Sequence, residues 1–368
     1  VKIVADDKIP FLKGVFEPFA EVVYLKGAAI DAADVADADA LIVRTRTRCD
    51  AALLRGSRVK FVATATIGYD HINAPELADL GIEWRSAPGC NAASVAQYLA
   101  AVLTGFGVPL EGRTLGVVGV GNVGKLAVKV GEALGMRVLQ NDPPRAKAEG
   151  ADKFVPLETI AREADFVTLH VPKVADGPHP TIKLLDEKFF AAARSGVCFI
   201  NAARGEAADG AALKAALRSG KVAHAAIDVW ENEPDIDREL LALCDFGTPH
   251  IAGYSTDGKA NGTTAAVRAV ARFLGIEELQ TFRAVPPPPA NAVTLEARDD
   301  APEEQEIHRL VCHTFDLHQV DGDLRRDPAA FEQLRGSAPL RREPFAYRVA
   351  GGAEKLRRKL AALGFKVI

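Results

Sequence analysis

The chain has 368 residues, with 45 Lys and Arg against 49 Asp and Glu, a net charge of −4. Hydrophobic residues make up 48% and charged residues 26%, which excludes disorder, collagen and coiled coil and leaves material for two or three domain cores. Near-neutral charge with only 17 Phe, 5 Tyr and 2 Trp argues against a nucleic-acid stacking surface.

From the N-terminus, short β-branched runs alternate with helical patterns: Lys2 to Ala5, Glu21 to Leu25, Ala40 to Thr45, Phe61 to Thr66 and Ile82 to Ser86 read as strands. Alternation of this kind predicts parallel sheets. A long apolar helix is expected from about Ala93 to Gly105. A second alternating series follows, with strands at Thr114 to Val118, Arg137 to Asn141, Asp165 to Val171, Val197 to Ala203, Ala223 to Val229 and Phe246 to Ala252. Six strands, apolar nearly throughout, suit a full dinucleotide-binding domain with helices on both faces. A helix from Gly258 to Leu274 precedes four consecutive prolines, Pro286 to Pro289, a stiff spacer and an expected domain boundary. Beyond them a strand (Ala292 to Ala297), a helix (Glu303 to Leu317), a charged loop, a strand (Ala346 to Val349), a helix (Ala353 to Leu363) and a last strand (Phe365 to Ile368) make a small α+β unit.

No apolar run reaches eighteen residues, and the N-terminus reads as an immediate strand rather than a signal peptide, so a cytoplasmic protein is expected. Cys49, Cys90, Cys198, Cys244 and Cys312 are an odd, scattered set without a CxxC pair. They read as small buried hydrophobes. No His, Cys or carboxylate cluster shows ligand spacing, so no metal is expected.

Gly119-Val120-Gly121-Asn122-Val123-Gly124 fits GxGxxG between a buried strand and an amphipathic helix. Gly119 turns the chain, Gly121 admits a pyrophosphate, Gly124 lets helix and strand pack, and the helix N-terminus offers N–H groups, among them those of Asn122 and Val123. Asp142, eighteen residues past Gly124, would accept hydrogen bonds from both adenosine ribose hydroxyls and favour NAD over NADP, a preference that Arg145 could soften. The ends of later strands carry Asn201-Ala202-Ala203-Arg204-Gly205, Asp228-Val229-Trp230-Glu231-Asn232-Glu233-Pro234 and Thr248-Pro249-His250-Ile251-Ala252-Gly253, where an open parallel sheet binds ligands. These residue types suit hydride removal from a 2-hydroxy acid. Arg204 would hold the carboxylate and C2 oxygen, His250 would take the hydroxyl proton, and Glu233 would fix the histidine tautomer.

These segments resemble the D-isomer-specific 2-hydroxyacid dehydrogenases over about residues 1 to 280. The resemblance implies two Rossmann-like or flavodoxin-like lobes with parallel sheets: a substrate lobe of residues 1–94 and 250–282, and an NAD lobe of residues 95–249. It also implies that Asp228 lies beside the nicotinamide and that Val171, Ala202 and Gly253 line the cofactor groove. Lys60 to Thr66, Ala87 to Ala92, Asp176 to Thr181 and His250 to Ser255 are similar to one branch of that family. The branch oxidises 4-phospho-D-erythronate to 2-oxo-3-hydroxy-4-phosphobutanoate in pyridoxal 5'-phosphate biosynthesis and carries a C-terminal dimerisation domain, here residues 283–368, so a homodimer is implied. Thr45, Thr66 and Tyr254 match substrate-contact positions. In a strand, Arg44, Arg46 and Arg48 would share a face suited to the phosphate end of the substrate. Glu206, where apolar residues are usual in the family, would set an extra carboxylate near Arg204. The alternatives are another D-2-hydroxyacid dehydrogenase, such as one for 3-phosphoglycerate, or a non-catalytic NAD-sensing protein on the same scaffold.

Overall fold

The computed structural model describes residues 1–368. The chain divides into two compact units, Val1–Asn91 with Ser255–Pro287, and Ala92–Tyr254 with Pro288–Ile368. The proline run thus lies on a boundary, as its stiffness predicts.

In the first unit β1 (Lys2–Asp6), β2 (Glu21–Leu25), β3 (Ala40–Val43), β4 (Phe61–Thr64) and β5 (Glu83–Arg85) form one parallel sheet in the order β2-β1-β3-β4-β5. This is the flavodoxin-like order. β3 and β4 are buried along their whole length because both of their faces are covered. The helix Thr256–Leu274 supplies part of the cover through Ala266, Val267, Val270 and Ala271, which pack with Ile3, Ile42 and Phe61. Ser255 caps it, its Oγ accepting the Gly258 N–H at 2.8 Å.

The arginine run does not continue β3. The strand stops at Val43, and Thr47 turns inward to donate its hydroxyl to Gly27 O at 2.8 Å. Arg44 instead meets the buried Asp6 carboxylate at 3.2 Å, and Arg48 meets Asp50 at 2.8 Å. A buried carboxylate needs a cation, and that need overrides the shared strand face expected for Arg44, Arg46 and Arg48.

The second unit holds β6 (Thr114–Val118), β7 (Arg137–Asn141), β8 (Phe166–Leu169), β9 (Val197–Asn201), β10 (Val222–Ile227) and β11 (Phe246–Gly247), all parallel, in the order β11-β10-β9-β8-β6-β7. The direction of progression reverses between β6 and β8, so their carboxyl ends mark the switch point at which such sheets bind ligands.

The C-terminal segment adds a parallel sheet of β12 (Thr294–Ala297), β13 (Arg348–Gly351) and β14 (Lys366–Val367). This small C-terminal α+β domain packs onto the dinucleotide half, with which it forms one compact unit. Helix Glu303–Thr314 packs on Ala92–Gly105, and Glu354–Ala362 on Asn122–Ala133. Leu295, Ile307, Leu310, Val311 and Leu360 share one apolar cluster with Val95, Leu99, Val102 and Leu115. Within that contact the buried Gln97 amide donates to Thr314 Oγ1 at 2.7 Å and to Arg342 O at 3.0 Å. The expected charged loop also contains helices, Leu317–Arg326 and Phe331–Gly336. Leu317, Val320 and Leu324 form a narrow buried stripe among many charges, and Asp316 caps it by accepting the Gln319 N–H at 2.9 Å.

Candidate active site

At the end of β6, Gly119 adopts φ +84°, and a Cβ on it would lie 2.6 Å from His170 O. A Cβ on Gly124 would lie 2.0 Å from Gly119 O, whereas one on Gly121 would meet nothing within 4 Å. The first and third glycines are therefore required by packing, and the second leaves open space for a ligand. The helix Asn122–Ala133 starts from Gly121 without any side-chain cap, so the N–H groups of Asn122, Val123 and Gly124 are left for an anion. An uncapped helix start beside an open glycine fits the pyrophosphate of a dinucleotide.

Asp142 caps the next helix, Pro143–Glu149. One of its oxygens accepts the Arg145 N–H at 3.0 Å and the other the Val120 N–H at 2.8 Å, tying it to the glycine loop. A carboxylate has about four lone-pair positions, so two remain for ribose hydroxyls. Arg145 is held by Glu149 through two bonds, at 2.7 and 2.6 Å, and donates to Val120 O at 2.6 Å. It is thus occupied away from a 2′-phosphate. Val171 and Ala202 follow the ends of β8 and β9 and are half-buried. Just before Val171, His170 bonds Thr168 through Nε2 at 3.0 Å while its Nδ1 is buried without a partner. Burial pushes this imidazole down to about 3, so it stays neutral.

The catalytic candidates sit on loops after β9, β10 and β11. His250 has φ +56°, a sparsely populated conformation for a side chain of this kind. Its Nδ1 lies 2.8 Å from Glu233 Oε2, and Glu233 Oε1 accepts the Trp230 N–H at 2.9 Å. Burial pushes the Glu233 carboxyl upward, but the His250 bond and charge, the Trp230 N–H and the Arg335 cation outweigh it and hold the group below its ordinary value. Trp230 donates its Nε1 to Thr248 O at 3.0 Å, joining two of the loops. The third loop closes in at Gly205, where an added Cβ would be 2.1 Å from Trp230 C. That glycine lets the loop after Arg204 close on the Trp230 backbone, and the Arg204 guanidinium donates to Ala203 O at 2.7 Å. Glu206 turns instead to Lys173, at 2.5 Å.

Asp228 anchors the loop that carries His250. It is 1% exposed, lying beneath the His250 loop. Its Oδ1 accepts from Thr248 Oγ1 at 2.6 Å and Ile251 N at 2.7 Å, and its Oδ2 from Ala252 N at 2.9 Å. Burial raises its pKa, an effect its hydrogen bonds only partly offset. Asp228 shapes the loop that carries His250 and Gly253. In the first unit Thr45 is exposed, and the Thr66 hydroxyl donates to Gly68 O at 2.8 Å beside Thr64 and His71.

Comparison with known proteins adds to this geometry. A family described as D-isomer specific 2-hydroxyacid dehydrogenase, NAD binding domain, matches residues 96–252, and a domain of unknown function, DUF3410, matches residues 284–364. An erythronate-4-phosphate dehydrogenase of Bacteroides fragilis is 46% identical over 344 residues, covering 92% of this chain and 96% of that protein. A Pseudomonas putida protein of the same name is 43% identical over 350 residues, with 92% and 91% covered. The chain belongs to the erythronate-4-phosphate dehydrogenases. Like the rest of the D-isomer-specific 2-hydroxyacid dehydrogenase family, it carries an NAD-binding domain. A Thermus thermophilus structure, TT0316, superposes with TM-score 0.64 at 28% identity, covering 75% of this chain and 97% of its own. No helix is long and apolar enough to cross a membrane.

Two residues of this dehydrogenase near the site escape sequence reading. Arg335 donates its Nε to Tyr254 OH at 3.1 Å and lies 4.0 Å from Glu233 Oε2. Arg341, fully enclosed, donates to Ser94 Oγ at 2.8 Å and to Ala252 O at 2.5 Å, with its guanidinium 3.9 Å above the Phe315 ring. Burial pushes it down to about 10. Nothing local marks either arginine, because the hydrogen bonds to Tyr254 and Ser94 span 81 and 247 residues of sequence.

Proposed function

We propose that the chain oxidises 4-phospho-D-erythronate at C2 to 2-oxo-3-hydroxy-4-phosphobutanoate, with NAD as hydride acceptor, in pyridoxal 5'-phosphate biosynthesis. The substrate follows from relatives of that name that match nearly the whole chain. The observation that carries the chemistry is the 2.8 Å contact between His250 Nδ1 and an ionised Glu233. NAD, when bound, supplies the hydride acceptor. With Nδ1 protonated toward Glu233, His250 presents an unprotonated Nε2 that takes the C2 hydroxyl proton, and Glu233 stabilises the imidazolium that forms. Arg204 binds the carboxylate and C2 oxygen through its planar fork. The helix start at Asn122, Val123 and Gly124 holds the pyrophosphate, Asp142 the adenosine ribose, and Val171, Ala202 and Gly253 line the groove. Asp228 acts from beneath, as a positioning residue. Thr45, Thr66 and Tyr254 bind the remaining substrate oxygens.

Steady-state assays with 4-phospho-D-erythronate and 3-phosphoglycerate test the substrate. Turnover of phosphoglycerate alone overturns the reading. His250→Asn should retain NAD and lose turnover, and unchanged turnover would refute its role as base.

We also propose a homodimer through the C-terminal segment, where Leu340 and Phe345 are 72% and 45% exposed. Sedimentation of the full chain should give a dimer that Leu340→Asp with Phe345→Asp dissociates. A wild-type monomer would sink this proposal.

A further inference from the structure

Away from the dehydrogenase site, the C-terminal segment brings together three side chains whose sequence spacing does not announce a metal. His308 and Cys312 stand one turn apart on the helix Glu303–Thr314, so they share a face. His318 follows at the start of the helix Leu317–Arg326, across the short turn at Phe315 and Asp316. His308 Nε2 lies 3.1 Å from His318 Nε2 and 3.5 Å from Cys312 Sγ, and all three donor atoms fall within 4.8 Å of one another.

The Nε2–Nε2 and Nε2–Sγ separations match those of a tetrahedral centre; Sγ also lies 3.7 Å from His308 Nδ1, so the Cys312 side chain turns toward Nε2 to close the site. With zinc–nitrogen bonds near 2.05 Å and a zinc–sulfur bond near 2.3 Å, two nitrogens lie about 3.3 Å apart and a nitrogen and sulfur about 3.6 Å apart. The tautomer also suits a metal. The Thr104 hydroxyl donates to Ala100 O at 2.7 Å, so toward His308 Nδ1, at 3.0 Å, it acts as acceptor. His308 therefore carries its proton on Nδ1 and directs a lone pair from Nε2 into the cluster, the outer-shell arrangement typical of a ligating histidine. The edge-on contact of Phe246 with His318, centroids 5.4 Å apart, packs the third ligand.

We propose that His308 Nε2, Cys312 Sγ and His318 Nε2 bind one borderline-soft divalent cation of the zinc type, with water in the fourth position. His318 is exposed, which leaves that position open to solvent. Binding forms one sulfur–metal bond and releases one proton to solvent, with no change of oxidation state. The cation would staple the two helices together across their turn.

Full-length protein stripped with a chelator and titrated with Co(II) alone provides the test. One ion per chain is expected, with tetrahedral visible bands and a near-ultraviolet thiolate-to-cobalt band, both displaced by Zn(II). Cys312→Ser should abolish the thiolate band. Thr104→Val should weaken binding about 10- to 100-fold by freeing the His308 ring, and His318→Ala should weaken it at least as much. Because His318 is at the surface, its truncation spares the core, and retained NAD binding verifies the fold of each variant. Absence of stoichiometric cobalt, or spectra unchanged in Cys312→Ser and His318→Ala, would overturn the proposal.

Discussion

Replacing Glu233 by Gln keeps the shape of the catalytic pair and changes only what its two ends can do. The carboxylate now accepts at both ends, from Trp230 N–H at 2.9 Å and toward His250 Nδ1 at 2.8 Å. An amide accepts at one end and donates at the other. If its oxygen stays on His250, its NH2 faces the Trp230 N–H, and a buried donor is left unmet at a cost of about 1–3 kcal/mol. The amide therefore turns its oxygen to Trp230 and its NH2 to His250, which moves the imidazole proton from Nδ1 to Nε2. In that tautomer His250 cannot accept the substrate proton. Reaching the productive state costs that same about 1–3 kcal/mol, and the imidazolium loses roughly a further 1–1.5 kcal/mol when a charged hydrogen bond becomes a neutral one. At about 1.36 kcal/mol per decade, kcat/KM should fall roughly 30- to 2,000-fold. NAD affinity, measured by fluorescence titration, should be unchanged. A variant within about threefold of wild type, well inside the smallest of these costs, would refute the tautomer argument.

Three further outcomes follow from the same structure. Gly121→Ala should leave stability within about 0.5 kcal/mol, since a Cβ there meets nothing within 4 Å, yet lose NAD binding. Gly124→Ala should cost about 1–3 kcal/mol in denaturant unfolding, because a contact 2.0 Å from Gly119 O outweighs the gain in helix propensity; the reverse ranking of the pair would contradict both assignments. For pH, Glu233 has a folded pKa below its ordinary value, so its contribution to stability is present above that ordinary value and is lost only as pH falls through the lowered one. The acid limb of kcat/KM should accordingly carry no second proton from Glu233, and a two-proton limb would count against this. Arg341→Met should keep the contact with Phe315 but remove the donors to Ser94 and Ala252. It should lower unfolding free energy in urea by about 1.5–3 kcal/mol, and a shift under about 0.5 would show that those bonds contribute little.

What could be read from sequence was what depends on near neighbours. The glycine loop was legible because its strand, turn and helix are contiguous and each glycine answers a local steric demand. The strand series was legible because burial on both faces leaves an unbroken apolar run. Arg44 was misread because its partner, Asp6, lies 38 residues away, and a buried carboxylate outweighs the alternation of a strand. The helix at Leu317–Arg326 was missed because Asp321, Asp323, Arg325 and Arg326 dilute its stripe of Leu317, Val320 and Leu324. The support Asp228 gives to the His250 loop was not legible, because its partners lie 20 to 24 residues on. The grouping of His308, Cys312 and His318 was not legible, because only the turn at Phe315 and Asp316 brings His318 to the helix that carries the other two.

The helix Ala92–Gly105 has ten of its fourteen residues buried, and part of that cover comes from the C-terminal segment. Its sequence, Ala-Ala-Ser-Val-Ala-Gln-Tyr-Leu-Ala-Ala-Val-Leu-Thr-Gly, is what an element wrapped on every side requires. The tail and the dinucleotide half are therefore one cooperative folding unit, and amides of Glu303–Thr314 should exchange with solvent only through the same global opening as those of Ala92–Gly105. Cutting the chain at the prolines would strip an apolar helix rather than release a free-standing module. Shorter relatives must present a different residue pattern on that helix or cover it by other means. Within this structure the segment covers an apolar helix of the half that holds the nucleotide.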